Sequence, residues 1–205
     1  MFDQPIRKKI DPLLTQIAQQ AHLAGITANR MSIAGFVLGI GAGGCVMSGE
    51  YGVGLVFFAL SRLADGLDGH IARLSHPTDF GGYLDIVCDF IFYAFIPLSF
   101  AIASPEAALA AAFLIFSFIG TASSFLAYAI LQAKHPEKAE RAASPKKSFY
   151  YIGGLTEGTE TILALGLCFL FPALFIWVAY GFGILCLITC GTRIAQAWHD
   201  FGKES

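Results

Sequence analysis

The sequence predicts an all-α integral membrane protein, with six transmembrane helices preceded by an N-terminal amphipathic surface helix. Three observations predict it. The 205 residues are 56 % hydrophobic and only 14 % charged, against about 25 % charged in an ordinary soluble domain. Apolar runs of about 20 residues, the length that crosses a hydrocarbon core, recur along the chain. The cations cluster at the same end of successive runs. Low charge and high hydrophobicity exclude disorder. A formal net charge of −2 argues against a nucleic-acid partner, which calls for a basic surface.

Residues 1–30 read as an interfacial, cytoplasmic segment. Ile10, Leu13, Leu14, Ile17, Ala18 and Ala21 recur at spacings of three and four, the pattern of an amphipathic helix lying on a membrane. Arg7, Lys8 and Lys9 stand among polar residues, and no short apolar core with a small-residue cleavage site follows, as a removable signal would require. The transmembrane domain covers residues 31–199. Its spans are expected at about 31–48, 51–73, 80–103, 107–133, 150–171 and 173–198. Gly49-Glu50, Ser104-Pro105-Glu106 and Pro172 break the runs on one side. A polar loop at 134–148 lies on the other, and residues 200–205 form a cytoplasmic tail.

All 13 Lys and Arg residues fall on the loop side or in that half of the spans. The opposite turns carry Glu50, Glu106 and Pro172 but no cation, so the positive-inside rule puts both termini in the cytoplasm. No duplicated half is visible, which counts against an inverted-repeat transporter. Gly35, Gly39 and Gly43 make a small-residue ladder suited to close helix packing. Cys45, Cys88, Cys168, Cys186 and Cys190 lie in apolar runs without a Cys-x-x-Cys pair, so neither a zinc site nor a disulfide framework is expected.

The chemistry concentrates in residues 61–90. Asp65 and Asp68 are three apart, and Asp85 and Asp89 four apart, so each pair shares a helical face. The two spans are antiparallel across a short turn at His76-Pro77. Counting inward from Arg73 and from Phe80, both pairs lie roughly 8–13 Å below the cytoplasmic edge at 1.5 Å per residue. Four isolated carboxylates at that depth would cost on the order of 10 kcal/mol. Two divalent cations would cancel the charge, and an all-oxygen, histidine-free set suits Mg²⁺ or Mn²⁺. Paired metals recur in displacement at phosphorus. Arg73 could neutralise phosphate oxygens, and Gly69 lets a ligand reach the helix backbone. Two other readings stand beside this one. The acids could simply pair with Arg62 and Arg73, or they could line a proton or cation pathway.

The string Asp65-Gly-Leu-Asp68-Gly69-His70-Ile-Ala72-Arg73, followed by Gly81-Gly-Tyr-Leu-Asp85-Ile-Val-Cys-Asp89, resembles the signature of the CDP-alcohol phosphotransferase family, D-x2-D-G-x2-A-R-x8-G-x3-D-x3-D. Every signature position is filled; the spacer is one residue shorter and falls in the turn. Ile26-Thr27-Ala28-Asn29-Arg30-Met31-Ser32 is similar to the family's Ile-Thr-Pro-Asn segment ahead of the first span. The resemblance implies a bacterial inner-membrane enzyme, often a homodimer, that moves a phosphatidyl group from CDP-diacylglycerol to a small polar alcohol and releases CMP. It implies metal binding by Asp65, Asp68, Asp85 and Asp89, with Asp89 also the general base. Asn29, Gly69, Ala72 and Arg73 would hold the CDP moiety.

The acceptor is less legible. Lys146 and Lys147 precede the fifth span, Arg193 lies in the sixth, and together they suit a phosphorylated alcohol. Glycerol 3-phosphate is the first candidate; inositol phosphate, serine and other polyols are alternatives. The lysines could equally anchor to acidic headgroups, and Arg193 could snorkel. Glu157 and Glu160, three apart near the start of the fifth span, could bind acceptor hydroxyls or an amine, or pair with Arg193 or Arg62.

Overall fold

Proline, glycine and capping hydroxyls divide the apolar sequence into rods. The computed structural model describes residues 3–137 and 156–202, and among them every regular element is helical. The helices are α1 (Asp3–Leu23), α2 (Ala28–Met47), α3 (Tyr51–Leu74), α4 (Asp79–Ala103), α5 (Ala108–Lys134), α6 (Gly158–Leu170) and α7 (Phe175–Phe201). Thr27 and Thr78 cap α2 and α4, their hydroxyls accepting from the N–H groups of Arg30 (3.4 Å) and Gly81 (3.0 Å). Gly49, at φ +78°, takes the left-handed turn between α2 and α3 that a side chain would strain. Pro105 and Pro172 each open a single 3-10 turn leading into α5 and α7.

Five of the six predicted spans thus reappear as helices within a few residues; of the fifth, positions 150–155 lie outside the described residues and the rest forms a shorter apolar helix of 13 residues. The α6 helix begins at Gly158. By length and composition α2, α4 and the segments 105–134 and 172–201 can each cross a membrane. The 24-residue α3 is long enough, but Arg62, Asp65, Asp68 and Arg73 keep its hydropathy down. Large apolar side chains such as Val37, Val56, Ile91, Phe116, Ile119 and Trp177 are exposed around the bundle. A soluble protein would hide so extensive a surface; here it faces lipid, as an integral membrane protein requires.

The interior is aromatic. Phe100 stacks on Phe175 at 4.3 Å between centroids, and Phe58 meets Phe169 at 5.0 Å and Phe92 at 5.8 Å. Nearer the acids, Ala18 of α1 is fully buried against Leu67 and Ile71 of α3, so the amphipathic helix docks on the signature helix. The glycine ladder does what its spacing suggested. A Cβ at Gly35 would stand 3.2 Å from the Ser61 carbonyl, and one at Gly39 would stand 2.8 Å from Cε2 of Phe92. The helix α2 therefore seats α3 and α4 side by side. Gly39→Val is expected to destabilise the fold by about 1–3 kcal/mol, the usual cost of overpacking. Thermal unfolding in detergent checks this against Gly44→Ala, where a Cβ meets nothing within 4 Å; equal midpoints would refute the packing role.

Candidate active site

Asp65 and Asp68 project from one face of α3, and Asp85 from the first turns of α4. One carboxylate oxygen from each lies within 4.8 Å of the other two. Asp68 is buried and accepts a hydrogen bond of 2.5 Å from the hydroxyl of Ser32 on α2. Ser61 donates to the Gly35 carbonyl at 2.7 Å, which fixes α3 against α2. Three carboxylates held this close repel one another unless a cation intervenes. Ligand oxygens around Mg²⁺, at 2.0–2.1 Å from the ion, stand about 3–4 Å apart, so small side-chain rotations would close this group on a metal. The donor set is all oxygen and without histidine, which fits a hard divalent ion.

Asp89, one helical turn beyond Asp85, joins the group through an arginine. Nη1 of Arg62 donates to Oδ1 of Asp89 at 2.8 Å and stands 3.5 Å from Oδ2 of Asp65. The guanidinium lies over the Phe92 ring, 3.9 Å from its centroid. The pairing with Arg62 considered from sequence is therefore present, but it engages only Asp89 and Asp65, and Asp65 also belongs to the cluster with Asp68 and Asp85.

Two cavities meet at Asp85. One, of about 360 Å³, is lined by Asn29, Ser32, Asp68, Gly69, Ala72 and Asp85, among others. The bare surface of Gly69 opens onto it, and Nη1 of Arg73 would stand 3.7 Å from a Cβ at that glycine. The second, of about 370 Å³, runs between α4, α5, α6 and α7; Asp85, Asp89, Tyr93, Glu157, Thr161 and Arg193 are among its walls. Arg193 donates to the Thr121 carbonyl at 2.9 Å, and its Nε is buried without a partner among the described residues. Glu157 and Glu160 form a capping box, each side chain accepting from the other's backbone N–H at the start of α6. That gives Glu160 a local structural task, while Glu157 also faces the cavity. Lys146 and Lys147 lie outside the described residues.

Sequence reasoning named the acids and missed their supports. Ser32 belongs to the segment leading into the first span, yet its bond to Asp68 crosses between helices and has no signal in spacing. Tyr93 and Thr161 look like ordinary span residues until α4 and α6 are placed face to face.

An intramembrane carboxylate cluster between two cavities of mostly apolar lining, in an all-helical bundle, is the arrangement expected of a metal-dependent transferase that works on phosphorylated lipids. The sequence matches the CDP-alcohol phosphatidyltransferase family over residues 25–185, and the chain belongs to that family. It is a divalent-metal-dependent phosphatidyltransferase of phospholipid synthesis, which sets aside the cation-pathway reading. Over 195 residues it is 49 % identical to the inner membrane protein YnjF of Escherichia coli (strain K12), covering 95 % of this chain and 94 % of that one. A shorter match, 35 % over 89 residues, covers 43 % of this chain and 42 % of the archaetidylinositol phosphate synthase of Methanothermobacter thermautotrophicus. The fold is that of the phosphatidylinositol phosphate synthase of Mycobacterium tuberculosis. Its structure with CDP-DAG bound aligns with TM-score 0.64 at 20 % identity, over 91 % of this chain and 94 % of that one. Its complex with manganese and citrate aligns with TM-score 0.62 at 21 % identity, over 90 % and 88 %.

Proposed function

We propose that this protein transfers the phosphatidyl group of CDP-diacylglycerol to a small polar alcohol, releasing CMP, in the inner membrane of a bacterium with its active site open to the cytoplasm. The observation that carries this reading is Asp85 on the wall of two cavities. One cavity holds Asn29, Gly69 and Ala72 of the nucleotide signature, and the other holds Asp89 and Arg193. Donor and acceptor can then meet at the carboxylates. Asp65, Asp68, Asp85 and Asp89 would hold two divalent cations, Mg²⁺ or Mn²⁺, whose charge would offset that of the donor's phosphates. Asp89 receives the proton of the acceptor hydroxyl. The acceptor oxygen forms a bond to the lipid-bearing phosphorus as the bond from that phosphorus to the bridging oxygen breaks, and the oxygen leaves with CMP. Arg73, beside Gly69, is placed for the nucleotide phosphates.

A phosphorylated acceptor is the best match for Arg193, whose buried Nε lacks a protein partner among the described residues. Glycerol 3-phosphate and inositol phosphate are the acceptors to test first. The inositol class gains support from two similar proteins that are inositol phosphate lipid synthases. The test is CMP release and lipid mass spectrometry on the purified chain with CDP-diacylglycerol, Mn²⁺ or Mg²⁺, and a panel of alcohols. Metal-dependent CMP release with a matching new phospholipid is expected; no release with any alcohol would refute the proposal. Arg193→Gln should raise KM for the phosphorylated acceptor about 10-fold or more, the scale of a lost charged hydrogen bond, with KM for the donor within about 2-fold. Equal shifts in both would remove Arg193 from acceptor binding.

A further inference from the structure

Arg62 is held from several directions at once. Besides its contacts to Asp89 and Asp65, Nη2 donates to the Ser61 hydroxyl at 3.2 Å and Nη1 stands 3.5 Å from the Tyr93 hydroxyl. Phe92 lies flat beneath the guanidinium, and the side chain is 8 % exposed. Nε has no partner among the described residues. A buried arginine with an unmatched N–H is a poor device for stability, since apolar side chains of the same volume pack at less cost. What this arginine provides is a fixed positive charge inside the acid group, bridging a helix-α3 carboxylate to a helix-α4 carboxylate.

We propose that Arg62 is a positioning residue for phosphatidyl transfer: it anchors Asp89 at the wall of the second cavity and sets how tightly the neighbouring carboxylates hold a divalent cation. The inference rests on the proposed reading of Asp89 as proton acceptor. Both tasks follow from placement. The bond to Asp89 holds its carboxylate at the wall of the second cavity, and misplacement of a reacting group by about 1 Å costs about 100-fold in rate. The charge beside Asp65 opposes an incoming cation, because repulsion between like charges a few ångströms apart is strong at a half-buried site. A planar guanidinium suits the position, since it stacks on Phe92 and donates from two nitrogens, which an ammonium does not match.

The experiment measures Mn²⁺ affinity by electron paramagnetic resonance, and kcat and KM by CMP release, on the full chain purified in detergent. Arg62→Gln is expected to bind Mn²⁺ about 10-fold or more tightly than the unaltered chain. Its kcat should fall about 100-fold, with KM for CDP-diacylglycerol within about 2-fold of the original. A structural role alone does not tighten metal binding while slowing turnover. Arg62→Lys keeps the charge and loses the stacked fork, so Mn²⁺ affinity stays within about 2-fold while kcat falls about 10-fold. Unchanged or weakened Mn²⁺ binding in folded Arg62→Gln, or unaltered kcat in Arg62→Lys, overturns the proposal. If Arg62→Gln does not fold, Arg62→Lys decides: a kcat about 10-fold lower with Mn²⁺ affinity within about 2-fold supports the proposal, and an unaltered kcat or a larger change in Mn²⁺ affinity overturns it. Should the unaltered chain release no CMP with any alcohol, the proposed function fails on that result, whereas the Mn²⁺ titration still judges the arginine.

Discussion

Replacing Asp85 with asparagine is expected to reduce turnover by a factor of about 1000 or more and to weaken Mn²⁺ binding by about 100-fold, both from removal of one charged ligand of three. The expectation rests on geometry. Asp85 contributes the α4 oxygen to a group otherwise built from α3, all within 4.8 Å. Asparagine keeps the shape and one acceptor oxygen but leaves only Asp65 and Asp68 charged in that group. The α4 backbone near position 85 does not depend on this side chain, because Thr78 caps the helix, so stability should change little. Mn²⁺ titration, CMP release and thermal unfolding separate the effects. Turnover within about 10-fold of the original would remove Asp85 from the site.

The second large effect belongs to Asp89. Asp89→Asn should lower kcat by about 100- to 10,000-fold, the range for loss of a positioned general base, with CDP-diacylglycerol binding kept within a few-fold. Mn²⁺ should still bind at the group of Asp65, Asp68 and Asp85, which remains together, while binding of the second ion that Asp89 helps to hold weakens. The change also takes from Arg62 its 2.8 Å partner. Leaving a buried charge with a weaker contact costs stability, so a lowered unfolding temperature accompanies the loss of turnover. The two are told apart by assaying well below the midpoint. Near-normal turnover there would make Asp89 a partner of Arg62 and nothing more.

Much of this site is legible in the sequence alone. The three-residue step from Asp65 to Asp68 fixes a shared face on any α-helix, and Asp85 follows because the turn is short and the helices antiparallel. Asp89 shows where that logic stops. Spacing along α4 puts it on the face of Asp85, but its engagement depends on the rotation of α3, which points Arg62 across the interface, and intrahelical periodicity does not encode the angle between two helices. The α3 span itself was legible by motif rather than by hydropathy, since the charges that make the site dilute its apolar character. Glu160 shows the opposite limit. An acid in an apolar run reads as functional, yet here it caps a helix start, and the box was hidden because the capping residue is Glu157 rather than a serine or threonine. The ladder at Gly35 and Gly39 was plain, whereas what it supports, the Phe92 ring under Arg62, emerges from three helices at once.

Asp85 stands as a partition between two chambers, and under the proposed assignment this constrains the handedness of the product. An alcohol arriving from the α5–α7 side and a nucleotide departing on the α2–α3 side would approach the reacting centre from different sides of Asp85. Displacement in line between them turns the phosphorus inside out, like an umbrella in wind, and requires both substrates to be present together. A donor made chiral with sulfur or oxygen isotopes would therefore yield a lipid of the opposite configuration, without a lipid-loaded enzyme accumulating along the way.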